Sequence, residues 1–221
     1  FETPDNVNAR INTITVEGDD VFLGGCYASS TSDCAAVYWK NGVFVELKGL
    51  DPSKSSEVTN MIISDGVVLS VGMATNSDNV KMPVLWKNDE LIELPVIDRA
   101  KGGRAAAIAV DGQDIYVVGE ATISTDLEVG GFWKDGVFSL LPTLSPNGSS
   151  SASSIVIHNG VTYIGGSNSA IMAYDVVGSL KQKIAASSRI AGYWRNGVFM
   201  PLSPACRSFP AVSEVKTILL Q

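Results

Sequence analysis

Short apolar runs recur along this chain, and a polar pair rich in Gly, Asp or Asn closes each one. Ile11–Val16, apolar at 11, 14 and 16, has copies at Val58–Ile63, Ala105–Val110 and Ser153–Ile157. Runs this short, bounded by turn residues, predict β-strands, because a helix would need a longer run. This strand A is followed by Gly18-Asp19, Asp65-Gly66, Asp111-Gly112 or Asn159-Gly160, pairs that supply the positive φ of a tight hairpin turn. Strand B follows as Val21–Gly25, Val67–Gly72, Ile115–Gly119 and Val161–Gly166. Strand C carries a Trp and ends in Asn-Gly, Asn-Asp or Asp-Gly, again a two-residue hairpin signal. Strand D is Val43–Leu47, Leu91–Leu94, Val137–Leu141 and Val198–Leu202.

The pattern is an internal repeat. Trp39, Trp86, Trp133 and Trp194 are spaced by 47, 47 and 61, whereas Gly25, Gly72, Gly119 and Gly166 keep a spacing of 47 throughout. A 14-residue insertion therefore lies between Gly166 and Trp194. Four strands joined by hairpins make one antiparallel meander per repeat, and meanders recurring at 40 to 50 residues predict the blades of a β-propeller. The repeats run over about 10–56, 57–103, 104–150 and 151–211 of one all-β domain, and 212–221 follows as a closing strand. Adding 61 to Ile157 lands on Ile218, within a fifth copy of strand A at Val215–Leu220. A five-bladed ring, with that strand as the inner strand of a blade whose remainder lies upstream of Phe1, is favoured. A four-bladed ring with a redundant terminal strand is the alternative. The opening Phe1-Glu2-Thr3-Pro4 resembles the exit from a strand D, as at Leu94-Pro95 and Leu141-Pro142. A start on Phe without a signal peptide implies a removed leader or a piece of a longer chain.

Composition narrows the function. The 221 residues carry 16 Lys+Arg against 23 Asp+Glu, a net charge of −7 with no basic block, which argues against nucleic acid and anionic membranes. No apolar run is long enough to span a bilayer. One His and three Cys leave little for a metal site, and no nucleotide, metalloprotease, EF-hand or hydrolase motif occurs, so neither cofactor nor metal is expected. Asp19-Asp20, or Asp126 with Glu128, is a weak Ca²⁺ candidate, since acidic turns are usually just solvated. His158 reads as a turn residue. Cys26 and Cys34 flank a short loop and pair as a disulfide if its tip is tight, or else stay free thiols; Cys206 has no evident partner.

Hairpin order divides the loops between two faces. A-B and C-D turns are short and nearly constant, whereas B-C and D-A connections vary, and function concentrates on variable loops mounted on rigid scaffolds. That loop-rich face carries Asp78, Asp98, Arg99, Arg104, Asp126, Glu128, Tyr174, Lys181, Lys183 and Arg189. Asp78, Arg99, Arg104, Tyr174 and Arg189 are the candidate ligand residues. The insertion is too apolar for a tail, with Ile171-Met172-Ala173-Tyr174 and Val176-Val177, and is expected to form an extra hairpin or cover the central opening. The phased tryptophans read as packing between blades rather than as sugar platforms. A glycosidase needs two acids converging on the funnel, and strand A is nearly acid-free, with Glu17 and Glu214 its nearest acids.

The unit Tyr/Phe-Trp-Lys-Asn/Asp-Gly-x-Phe, after a strand such as Ile115-Tyr116-Val117-Val118-Gly119, resembles the WKNG-type propeller repeats of secreted or surface-attached bacterial proteins, most of which have no assigned activity. It is distantly similar to Kelch repeats but lacks their regular double Gly, which only Gly24-Gly25 and Gly165-Gly166 show. Five-bladed lectins are similar in period and architecture alone. The resemblance implies an extracytoplasmic bacterial protein and a non-catalytic propeller holding a glycan or protein on its loop-rich face. The other readings are a glycan-processing hydrolase with funnel carboxylates, requiring Glu17 or Glu214 to face the funnel, and a purely structural surface module. The loops share little sequence, which favours one composite site or a protein partner over a repeated lectin site.

Overall fold

Among the described residues the strand-and-turn pattern is realised as sixteen strands. A computed structural model describes residues 8–28, 34–124, 127–175 and 183–202, with side chains excluded at 170–188. The first blade comprises β1 (Ala9–Glu17), β2 (Asp20–Tyr27), β3 (Ala35–Lys40) and β4 (Val43–Glu46). The second comprises β5 (Ser56–Ser64), β6 (Val67–Thr75), β7 (Lys81–Lys87) and β8 (Glu90–Glu93), and the third β9 (Gly103–Asp111), β10 (Asp114–Ser124), β11 (Leu127–Lys134) and β12 (Val137–Leu140). The fourth is β13 (Ser150–His158), β14 (Val161–Asp175), β15 (Lys183–Arg195) and β16 (Val198–Pro201). Each blade is a four-stranded antiparallel meander in chain order. The inner strands pack in sequence, β1 on β5, β5 on β9 and β9 on β13, which makes the molecule a β-propeller. Among the described residues no comparable packing joins β13 to β1, so the described parts of the four blades form an arc in which the first and fourth do not meet. Residues 203–221, which contain Val215–Leu220, lie outside the described residues.

Each repeated residue has a physical task. The Asn or Asp that opens the C-D turn adopts positive φ at Asn41, Asn88, Asp135 and Asn196. Its side-chain Oδ1 then accepts the N–H of Val21, Val68, Ile115 or Thr162 at 2.8 to 3.1 Å, extending the B-C ladder by one rung. Asn and Asp alone among common residues tolerate that φ and offer that acceptor. The phased glycines answer a different demand. Every inner strand bulges one residue after the phase of Ile11, between Ile11/Thr13, Val58/Asn60, Ala105/Ala107 and Ala152/Ser154. The kink drives the carbonyl of Arg10, Glu57, Arg104 or Ser151 against strand B, where any Cβ on Gly25, Gly72, Gly119 or Gly166 would stand 1.8 to 2.0 Å from it. Only Gly admits that approach.

The core lies between blades. The face bearing Trp86 packs on Phe22 and Ala36 of the first blade, the face bearing Trp133 on Leu69 and Val71 of the second, and the face bearing Trp194 on Ala107 and Val118 of the third. All four tryptophans are buried. Trp86, Trp133 and Trp194 also donate Nε1–H to the strand D exit of the preceding blade, at the carbonyls of Lys48, Pro95 and Pro142. They are mortar between blades, as their phase predicts, and not platforms for a ligand. A smaller device shows the same complementarity. Ser56 Oγ accepts the N–H of Ala36, and Ser150 Oγ accepts that of Gly130. At the intervening interface the donor position is Pro83, which has no N–H, and the facing residue is Gly103, which has no hydroxyl.

Among the described residues the insertion forms no separate element. It lengthens the B-C hairpin of the fourth blade, with β14 and β15 paired continuously from Tyr163↔Arg195 out to Asp175↔Lys183. The extra hairpin expected from sequence is thus replaced by an extension of the existing one.

Candidate functional site

The inner strands begin two or three residues earlier than their sequence pattern indicates, and this builds the site. Arg10, Glu57, Arg104 and Ser151 share one phase at the loop-rich end of β1, β5, β9 and β13, and each faces a strand B residue: Cys26, Met73, Glu120 and Ser167. The mouth of the propeller is thus rimmed by side chains that the sequence pattern assigned to connections. Arg10 is ion-paired with Glu57 across the first two blades. Arg104 Nε donates to Glu120 Oε2 at 2.8 Å, and the Glu120 side chain is only 9% exposed. Ser151 and Ser167, both buried, share a 2.8 Å hydrogen bond at the same level.

Two cavities open on this rim. One of about 690 Å³ is lined by Arg10, Tyr27, Glu57, Met73 and Lys81 together with the Cys26–Cys34 bridge. The other, about 490 Å³, is lined by Met73, Lys81, Lys101, Arg104, Glu120 and Glu128. Met73 and Lys81 line both, so the two form one groove across three blades. Its charges are unequally committed. Glu57 and Glu120 each hold an arginine, and Lys101 Nζ donates to the Ile123 carbonyl at 2.6 Å and stands 3.4 Å from Asp98. Exposed Lys81, at the centre of the groove, has no counter-charge in contact among the described residues.

Cys26 and Cys34 form a disulfide. It staples the B-C loop of the first blade beside Glu57, whose Oε2 is 3.8 Å from Cys34 Sγ. These three are a tight grouping of potential metal ligands, but oxidation removes the thiolates that such a site requires. Closing so short a loop stabilises the fold by about 2 to 3 kcal/mol on chain-entropy grounds. Reduction with the tertiary structure otherwise intact should lower the urea midpoint accordingly, and a Cys26→Ser/Cys34→Ser variant should lose all sensitivity to reductant.

Tyr27 lines the larger cavity from a buried position against Phe44, edge to face at 4.9 Å. Burial, aided by its hydrogen bond to Glu46, pushes its phenol up to about 12. Since the folded phenol holds its proton more tightly than the unfolded one, it contributes stability below about pH 10 that is lost as pH rises towards 12. Difference absorbance at 295 nm between the protein and Tyr27→Phe should place this ionisation near pH 12; a midpoint near 10 would show that the ring is wet.

The candidate residues named from sequence separate into groups. Arg104 lines the groove. Arg99 is held in a two-point ion pair by Glu93 at 2.7 and 3.0 Å, with its charge further favoured by Asp78. Asp78 sits in the turn capped by Asn76 Oδ1, and neither it nor Arg99 lines the groove. Arg189 is exposed on β15 opposite Ser169, and Tyr174 pairs through its backbone with Ile184 on the projecting hairpin. Asp126, Lys181 and Glu214 lie outside the described residues. Glu17 ends β1 beside the A-B turn, at the face opposite the groove. His158 stands at the equivalent turn of the fourth blade, where its ring is 3.1 Å from Asn159. Asp20 is taken up by Lys40 and Asn41, which hold its carboxyl below the usual range.

Glu57 and Glu120 are the functional candidates that sequence reasoning missed. They share a signal that was available: each occupies the phase one step before or opposite the bulge, where Arg10 and Arg104 also fall.

No family model matches the chain, and no curated protein is similar to it. Among solved structures it is similar to a GH43_12 retrieved from capybara gut metagenome, at 11% identity and a TM-score of 0.44. The alignment covers 88% of this chain and 41% of that one, so the chain spans about two fifths of that structure's length.

Proposed function

We propose that this propeller is a non-catalytic binding module that holds a glycan or a protein partner in the groove across its first three blades. The observation that carries this reading is the pairing of both rim carboxylates with arginines, Glu57 with Arg10 and Glu120 with Arg104. Arginine-carboxylate pairs are well suited to present fixed donors and acceptors to a ligand. Lys81 supplies the uncommitted charge between the two cavities. A groove that differs from blade to blade supports a single composite site. The disulfide fits an oxidising compartment, so the proposed setting is extracytoplasmic, in the manner of the bacterial WKNG-type repeats. Among the described residues no helix is long and apolar enough to cross a membrane.

The test is a glycan-array screen followed by pull-down, run on the protein and on Lys81→Ala, which truncates an exposed side chain. Binding that falls at least tenfold in the variant supports the groove. Silence in both screens overturns it in favour of a purely structural module. One observation favours a second reading as a glycan hydrolase: two carboxylates, Glu57 and Glu120, open onto one groove. Turnover of any captured glycan, abolished by Glu57→Gln or Glu120→Gln, would establish that reading instead.

A further inference from the structure

The groove is nearly balanced in charge by count but not by exposure. Its ion pairs are asymmetric: the Arg10 side chain is 60% exposed and that of Glu57 15%, while Arg104 is 51% exposed and Glu120 9%. Each carboxylate is sunk and its guanidinium stands in water, so a ligand meets the cationic side of both pairs. The larger cavity takes this furthest. The charged side chains that line it are Arg10, Glu57 and Lys81, and the two cations are the exposed ones. The smaller cavity adds an exposed carboxylate, Glu128, and a lysine, Lys101, already held by Asp98 and the Ile123 carbonyl. Local charge thus runs from cationic at the first blade to balanced at the third.

The lining also restricts the rest of the ligand. Tyr27 is the one aromatic residue among those described along the groove, and it is buried, so a neutral sugar finds no ring face to stack on. None of the large apolar side chains exposed elsewhere on the described surface lines either cavity. Protein partners are anchored chiefly by aromatic and other large side chains in well-packed pockets, and half-buried Met73 is a poor match for that. Asn8, Ser55 and Thr75 instead add neutral polar residues along the larger cavity. Charge, seconded by such hydrogen-bonding groups, is therefore what this groove has to offer.

Resting on the reading of this groove as the binding site, we infer that its ligand is an acidic oligosaccharide. A carboxylate or sulfate of that ligand sits between Arg10 and Lys81 in the larger cavity, and the sugar chain continues past Met73 towards the third blade. Arg10 is already oriented by Glu57, so its guanidinium meets an oxyanion with little further ordering. Lys81, with no counter-charge in contact among the described residues, has no carboxylate to release first. The chain carries a net charge of −7, so this attraction is local and works against the field of the whole molecule.

Calorimetric titration tests the inference on the protein, Lys81→Glu and Lys87→Glu. The probes are an oligogalacturonate, a heparin oligosaccharide, a neutral galactose oligomer and a poly-glutamate peptide. Lys87 is exposed at the other end of β7, so the two variants change net charge equally and only one alters the groove. The expected result is an acidic saccharide bound at least about tenfold tighter than the neutral one, weakened about tenfold or more by Lys81→Glu and less than about twofold by Lys87→Glu. Which acidic saccharide binds then identifies the anion as carboxylate or sulfate. A preference for the neutral oligomer, itself weakened by Lys81→Glu, sinks the inference while leaving the groove as the binding site. Equal weakening by both variants marks a response to net charge alone and overturns it. Tighter binding of poly-glutamate overturns the saccharide assignment. Silence with all four probes overturns it too, and the array and pull-down then decide the groove separately.

Discussion

Replacing Trp133 by Ala should destabilise the protein by about 3 to 5 kcal/mol, the range for deleting a buried aromatic side chain. Trp133 is fully buried between the second and third blades, packed on Phe138 at 5.0 Å and on the cluster of Leu69, Val71, Leu94 and Val117. Its loss opens a void that two rigid sheets cannot collapse to fill, because each is fixed by its own ladder. It also strands the Pro95 carbonyl, which now accepts Nε1–H at 2.7 Å. Trp133→Phe separates the two contributions, since it keeps most of the apolar area and orphans the carbonyl at about 1 to 3 kcal/mol. For a chain of this size each kcal/mol shifts Tm by about 2 to 4 °C, so Trp133→Ala should melt about 6 to 20 °C below the parent. A loss below about 1 kcal/mol would mean that the indole is solvated, and would revive the sugar-platform reading of the repeated tryptophans.

Gly119→Ala is expected to cost about 3 kcal/mol, the upper end for forcing an extra methyl into a packed site. The added Cβ would stand 2.0 Å from the Arg104 carbonyl and 2.9 Å from the Ala105 Cα, both backbone atoms of the bulged inner strand. No rotamer change relieves a clash with backbone, so β9 must shift. Because β9 carries Arg104, the variant should also loosen the Arg104–Glu120 pair and weaken any ligand held in the groove. Gly136→Ala is the comparison. It sits at φ +79° in an open C-D turn with nothing within 4 Å of the new methyl, so only backbone strain of about 1 kcal/mol applies. Paired urea titrations decide the matter: equal losses, or a larger one at Gly136, would show that the phased glycines serve flexibility rather than close approach.

Both expectations start from residues whose repetition is visible without coordinates. The spacing of 47, the Asn-Gly and Asp-Gly turns and the tryptophan on strand C determine the blade, because hairpin turns, strand alternation and inter-blade packing are local or nearest-neighbour demands that each repeat must meet again. The site is different in kind. Arg10, Glu57 and Arg104 lie just outside the apolar run of each strand A, where a connection was expected, and only the bulge shows that the strand continues through them. Glu120 lies within β10 between Gly119 and Ala121, and although its phase marks a rim position, nothing near it in sequence announces an arginine partner sixteen residues away. Asp78 and Arg99, prominent in variable loops, are turned to local partners instead, while Lys81 gains its place from two cavities that meet at the start of β7. Local pattern determined this protein's architecture; the order in which blades bring one phase of each strand to a shared rim decided its candidate site. Charge pairing there depends on distances across blades, and a one-dimensional period does not carry those distances.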